Sequence, residues 1–272
     1  MSNDDCGIAQ AIRVLGDAWS ALLLRDIARG RSRFEQLLAE TGISRKILTQ
    51  RLHALIDAGV LKRVRYQRRP DRFEYMLSDR GRAALPVLAA LQEWGDTWLL
   101  GDGTTQATAG TDSSEAHRVA RLVGTLVPPL TPDPLTDARL TVVYAYPGTG
   151  LVGINDVPGG AGCTLESCTY RDRLPEFEDL GASVVGISTQ RPDEQRQFAR
   201  VNRIQFPLVS DVDLRLATAL RLPTFRLQGV TRLKRLTLVI DAQRTVRGTL
   251  FPIRDVTGSV EEALALVRSL SN

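Results

Sequence analysis

Long apolar runs, lysine, histidine and cysteine are all scarce in this 272-residue chain. No stretch approaches the ~20 apolar residues that a membrane helix needs. The opening, MSNDDCGIAQ, has neither the basic n-region nor the apolar core of an export signal. The expectation is a cytoplasmic protein with no membrane partner. The two histidines, His53 and His117, stand far from the cysteines, so no four-ligand zinc pattern exists and no metal or other cofactor is expected. Three cysteines, Cys6, Cys163 and Cys168, are too few and too uneven for the disulfide framework of a secreted domain, and no C-x-x-C redox pair is present. There is no internal repeat. With 43% hydrophobic and 24% charged residues, the composition is that of an ordinary folded protein, and the length fits two domains.

The charge is uneven. The chain carries a net +4, and all of the excess lies in the first hundred residues. Residues 29–72 alone hold twelve basic side chains against four acidic ones, which points to a polyanionic partner unless the cluster is only a solvated face. Residues 101–117, GDGTTQATAGTDSSEAH, have the composition of a flexible linker. The expected division is therefore residues 1–100, a linker over 101–138 that includes the proline-rich PPLTPDP, and a second domain over 139–272. In that second domain strands are expected over 140–146, 183–188, 236–241 and 245–251. Helices are expected over 116–126, 165–180, 193–202 and from Ser259 onward. Strands alternating with helices predict an α/β fold.

In ISRKILTQRLHALIDAG, Ser44 is placed to cap a helix, and Leu48, Leu52, Leu55 and Ile56 recur with helical spacing. The opposite face presents Arg45, Lys46, Thr49, Gln50 and His53, side chains able to reach phosphates or base edges in a major groove. A short helix over residues 33–41 precedes it, which makes a helix-turn-helix. Extended segments over 61–66 and 72–77 flank a turn at Pro70 and Asp71. That pattern predicts a β-hairpin wing with Arg68, Arg69 and Arg72 at its tip. Leu15-Gly16-Asp17-Ala18-Trp19, Leu24-Arg25-Asp26-Ile27, Ile43-Ser44, Leu48-Thr49-Gln50-Arg51-Leu52, Gly59, Pro70, Glu74-Tyr75 and Gly81 follow in order. Together this run resembles the HxlR-type winged helix-turn-helix regulators. The resemblance implies a homodimer on a palindromic double-stranded DNA operator, with a terminal helix bearing Trp94 and Trp98 in the dimer contact. Several such regulators carry a redox-reactive cysteine where Cys6 stands; the other reading of Cys6 is a small packing residue.

The stretch PGGAGCTLESCTYRD, residues 158–172, places Cys163 between a glycine-rich loop and a helix-forming run. Its sulfur would lie at a helix amino terminus, where free N–H groups favour thiolate. A thiolate attacks a peroxide oxygen to give a sulfenic acid, and that acid condenses with a second thiol, for which Cys168 is the candidate. Five helical residues rise about 7.5 Å, beyond the roughly 7 Å that a disulfide spans, so the helix must unwind locally. GCTLESCTYRD, with VVYAYP before it and FEDLGASVVGIS, FPLVSD and KRLTLVID after it, resembles the peroxiredoxin superfamily, nearest its Q-type or bacterioferritin-comigratory branch. That resemblance implies a thioredoxin-like fold, Cys163 as the peroxidatic and Cys168 as the resolving residue, and Arg235 as the guanidinium beside the thiolate. It also implies a thioredoxin-like reductant. Two departures stand out. Gly160 occupies the place of the usual Thr or Ser, which leaves Thr149 or Thr164 to supply a hydroxyl, and the loop from Pro147 to Cys163 is long.

Two functions remain open. One is a transcription regulator controlled by peroxide or another thiol oxidant. The other is a thiol peroxidase whose winged helix serves for localisation or dimerisation.

Overall fold

The computed structural model describes residues 3–100 and 106–271. The chain forms two compact units, Met1–Leu88 and Ala89–Asn272. The first contains α1 (Gly7–Leu15), α2 (Ser20–Ala28), α3 (Phe34–Thr41), α4 (Arg45–Asp57), β1 (Leu61–Arg68), β2 (Asp71–Leu77) and α5 (Asp79–Ala83). Its core is aliphatic: Leu23, Leu24, Leu37, Leu48, Leu52 and Leu55 are fully buried. Gly42, in the left-handed conformation at φ 67°, ends α3 and turns the chain into α4, and the Ser44 hydroxyl accepts from the Ile47 N–H at 3.3 Å to start α4. β1 and β2 pair antiparallel with Arg68 opposite Asp71, giving the winged helix-turn-helix arrangement.

The unit boundary falls within α6 (Leu85–Trp98). The second unit continues with α7 (Ser114–Ala120), β3 (Leu140–Ala145), α8 (Cys163–Asp172), α9 (Leu174–Asp179), β4 (Ala182–Ser188), α10 (Pro192–Asn202) and β5 (Leu208–Ser210). α11 (Arg215–Leu220), β6 (Thr224–Leu227), β7 (Val230–Leu233), β8 (Leu236–Asp241), β9 (Val246–Leu250) and α12 (Gly258–Ser271) complete it. Five strands form a mixed sheet in the order β5-β4-β3-β8-β9, with β3 parallel to β4 and antiparallel to β8. Alternation along β3 sends Val143 and Ala145 to one core and Val142 and Tyr144 to the other. Both faces of the sheet are thus covered, as in a thioredoxin-like α/β fold.

Several features differ from the sequence expectation, among them β5, α11 and the end of α7 at Ala120 rather than at 126. The helix expected over 165–180 is two helices, because Pro175 opens α9 and cannot continue the ladder of α8. The β6–β7 hairpin, turned by Gln228 and Gly229 at φ 51° and 79°, was not expected. The segment expected to be a flexible linker lies partly outside the described residues, at 101–105, but its remainder is folded onto the second unit. Ala107, Ala116, Val119, Leu122 and Val127 are buried there, and Arg244 holds the following connector through Val127 O, Pro128 O and Asp133. Among the described residues no single helix is long and apolar enough to cross a membrane.

Candidate thiol centre and nucleic-acid interface

Cys163 is the first residue of α8, after Gly162 in the left-handed region at φ 96°. Its side chain is buried, with 5% of its surface exposed. Arg235, at the entry to β8, brings Nη2 to 3.4 Å from the sulfur and also donates to Ala161 O at 2.9 Å. Its Nη1 pairs with Glu166, three residues along α8, and neither side chain has meaningful access to water. The loop after β3 brings the Gly148 backbone into the neighbourhood of the sulfur.

Burial pushes the Cys163 thiol up; Arg235 and the Gly148 N–H pull it down, and the Glu166 charge adds to the rise. A helix amino terminus alone was expected to favour thiolate, but in this closed reduced form desolvation outweighs it. Burial likewise pushes Glu166 up to about 7 against the pull of Arg235. Glu166 is the main participant that sequence reasoning missed. An acidic residue in the first turn of a helix reads as a solvated one, and only the distant Arg235 gives it a reason to be inside.

Cys168 is half-buried farther along α8, with Arg171 Nη1 at 3.6 Å from its sulfur. Both cysteines are free thiols on a helix anchored from beneath. The Tyr144 hydroxyl donates to Ser167 at 3.0 Å, Ser167 donates to Cys163 O at 3.0 Å, and the Tyr144 and Tyr170 rings stack at 4.4 Å. Gly160 is closed to the hydroxyl residue that the resemblance leads one to look for, since a Cβ there would lie 2.3 Å from Ile154 O. Neither substitute takes its place. The Thr149 hydroxyl is engaged with Gln190 Oε1 at 3.3 Å, and Thr164 is exposed.

In the first unit, Arg45, Lys46, Gln50 and His53 are exposed on α4, beside Thr49, whose hydroxyl turns back to Arg45 O at 2.8 Å. Arg45 is engaged by Glu35 through two bonds of 2.8 Å, so part of its charge is already spoken for. Arg68, Arg69 and Arg72 are exposed at the tip of the wing. Behind them, Arg63 covers the Phe73 ring at 3.5 Å and Arg33 the Tyr66 ring at 4.4 Å, which stiffens the hairpin. Cys6, half-buried, precedes α1 in the first unit, whereas in the second Arg235 meets Cys163, and Cys168 lies five residues farther along α8 against Arg171. On α6, Trp94 and Trp98 are exposed, as are Leu91, Leu99 and Leu100 around them.

Residues 14–102 match the HxlR-like helix-turn-helix family, and residues 140–249 match the AhpC/TSA family. An uncharacterized HTH-type transcriptional regulator of Mycobacterium tuberculosis is 37% identical over 92 residues, which is 34% of this chain. The chain spans 58% of that relative's length. A second M. tuberculosis protein, provisionally named a peroxiredoxin, is 36% identical over 109 residues, covering 40% of this chain and 71% of the relative. Among solved structures, peroxidoxin BcpB from M. tuberculosis is similar at 33% identity and a TM-score of 0.43, over 50% of this chain and 82% of that one.

Proposed function

From a chain that belongs to the HxlR-like helix-turn-helix family through residues 14–102 and to the AhpC/TSA family through residues 140–249, we propose a cytoplasmic transcription regulator whose peroxiredoxin-type thiol centre controls its grip on DNA. In this reading residues 1–100 read a palindromic operator, residues 139–272 carry the thiol chemistry, and exposed Trp94 and Trp98 help form a homodimer.

One observation carries the reading: the segment that leads away from the DNA-reading half is seated on the thiol site. Ala107 is fully buried and its N–H donates to Pro158 O at 2.9 Å, while Thr108 fills the space beside Gly159. Farther along, buried Glu115 accepts from Lys234 Nζ at 2.5 Å, and Lys234 is the neighbour of Arg235. The loop before Cys163 and the residue beside its arginine therefore both hold this segment.

The chemistry then has a mechanical output. Cys163 thiolate attacks the terminal oxygen of a hydroperoxide, the O–O bond breaks, the alcohol or water leaves, and Cys163 becomes a sulfenic acid. Arg235 steadies the thiolate before attack. The Cys168 thiolate then displaces hydroxide from the sulfenyl sulfur, and the disulfide draws the start of α8 and its loop out of place. Pro158 O and Gly159 move with that loop and release Ala107 and Thr108. A thioredoxin-like dithiol returns two electrons and resets the site. A tenfold change in operator affinity needs only about 1.4 kcal/mol, on the order of one lost hydrogen bond. The closed environment of Gly160 favours this sensor over a fast peroxidase, because the position that the resemblance gives to a peroxide-orienting hydroxyl has no room for a side chain.

Hydrogen exchange of the full-length protein, reduced and after one equivalent of peroxide, tests the reading. The Ala107 amide is expected to lose protection as the Cys163–Cys168 disulfide forms and to keep it in Cys168→Ser. Unchanged protection alongside a fully formed disulfide would favour the other function, a thiol peroxidase with a winged helix for localisation or dimerisation.

A further inference from the structure

We infer that Arg171 is a catalytic residue of the second chemical step: its guanidinium donates to the Cys168 sulfur and steadies the thiolate that attacks the oxidised Cys163. The inference rests on the reading of Cys168 as the resolving thiol and names the group that readies it.

Arg171 stands three residues after Cys168 on α8, a spacing that sets one side chain over the other along the helix. Its Nη1 reaches the Cys168 sulfur at 3.6 Å and also donates to Asn202 O at 2.5 Å. That carbonyl belongs to the last residue of α10, a helix end where carbonyls lack ladder partners and a cation is favoured. On its other side the guanidinium donates from Nε to Asp172 at 2.8 Å. Arg171 is therefore anchored twice, and one anchor is on a different helix. The disulfide requires the first turns of α8 to open. Arg171 lies in the last turn, and its bond to α10 does not depend on the turns that open.

A thiol attacks a sulfenic acid as its thiolate, so the rate follows the fraction ionised. Cys168 stands within α8, where backbone N–H groups are committed to the ladder rather than free for a sulfur as they are at the helix start. The support has to come from a side chain, and a guanidinium against the sulfur is such a support. Asp172 is the opposing charge on the same helix and draws on Arg171 through Nε and Nη2. From α10 the neighbour is the Asn202 carbonyl, and on α9 and α12 Glu176 and Glu261 are taken up by Arg173. With its proton passed to water, the Cys168 sulfur displaces hydroxide from the Cys163 sulfenic acid. The S–S bond forms and the S–O bond breaks; the Cys163 sulfur is reduced as the Cys168 sulfur is oxidised, and the hydroxide leaves as water once it takes up a proton.

The test reads the full-length protein twice. Site-resolved alkylation of the reduced form by iodoacetamide, across about pH 6 to 10, follows Cys168 directly, and dimedone capture after one equivalent of peroxide follows how long the Cys163 sulfenic acid survives. In Arg171→Met, Cys168 is expected to alkylate about threefold more slowly below its midpoint and to match or exceed the wild type above it, because fewer thiolates form although each is the better nucleophile. More dimedone adduct at Cys163 should accompany the slower alkylation. Asp172→Asn, which leaves the guanidinium freer for the sulfur, is expected to move both readouts the other way by about twofold. It also carries the test if the Met variant folds poorly. A merely structural role would loosen α8 in both variants and move them in one direction. That result, or profiles that overlay the wild type, would overturn the inference about Arg171. A wild type that forms no Cys163–Cys168 disulfide would instead overturn the reading of Cys168 as the resolving thiol.

Discussion

Glu166→Gln removes one charge from the thiol centre while keeping the shape of the side chain and an oxygen for Arg235 to donate to. Two effects compete. Breaking a buried ion pair by deleting one partner commonly costs about 3–5 kcal/mol, because the other charge is left without a counter-ion. Against this, burial has already pushed the Glu166 carboxyl from its ordinary 4.5 to about 7. That shift means the fold pays about 3 kcal/mol to hold Glu166 ionised. The sign follows from linkage: a carboxyl whose native value is raised contributes stability below its unfolded value, and that stability is lost as pH rises through about 7. Glutamine never ionises. The variant should therefore match the wild type near pH 4.5 and become the more stable protein by up to about 3 kcal/mol by pH 8. Urea unfolding followed by the near-ultraviolet circular dichroism of the stacked Tyr144–Tyr170 pair reads the second unit directly. The Glu166 charge also raises the Cys163 thiol, so the variant should alkylate at Cys163 faster at pH 8. Parallel stability curves, or a variant several kcal/mol weaker at pH 8, would refute the reasoning and make the ion pair a net stabiliser.

Four further outcomes follow from particular residues. Gly160→Thr should destabilise the second unit by about 1–3 kcal/mol, because its Cβ meets Ile154 O, and it should not speed the reaction with peroxide as measured by competition kinetics. Replacing Arg68 and Arg69 by Ala should weaken binding to every DNA sequence and flatten the salt dependence by about two counter-ions, as titrations at several salt concentrations will read. Gln50→Ala should instead blur the preference among operator variants by about 1–3 kcal/mol at one base pair, with non-specific binding unchanged. Cys168→Ser should trap Cys163 as sulfenic acid after one equivalent of peroxide, detected as a dimedone adduct by mass spectrometry; first oxidation at Cys6 in the wild type would reverse the assignment of the peroxidatic thiol.

Much of the fold was legible because its signals are local. The Ser44 cap with leucines at helical spacing, the arginine-rich wing tip and the apolar run before Pro147 each fix an element within a few residues. The thiol loop was legible for the same reason, since glycines before Cys163 mark a tight entry to a helix. What escaped was decided at a distance. Glu166 and Gln190 are polar residues whose burial depends on Arg235 and on the main chain of Thr149, far away in sequence. The supposed linker is rich in Gly, Ser, Thr and Ala, which as composition means flexibility. Yet Ala107 is small enough to lie under Ile154 and Phe225, and Glu115 finds Lys234. The break at Pro175 and the Gln228-Gly229 turn are different: both carried local signals that the longer helical and strand patterns around them obscured.

Control of DNA binding by Cys163 is tested most directly by the affinity of the full-length protein for DNA from its own upstream region, titrated in the reduced and the peroxide-treated forms beside Cys163→Ser under the same treatment. Such control requires at least a tenfold difference between the two wild-type forms, reversal of that difference by a dithiol, and one unchanging affinity for Cys163→Ser. Equal affinity of the reduced and oxidised wild type, or a response that survives in Cys163→Ser, would contradict it.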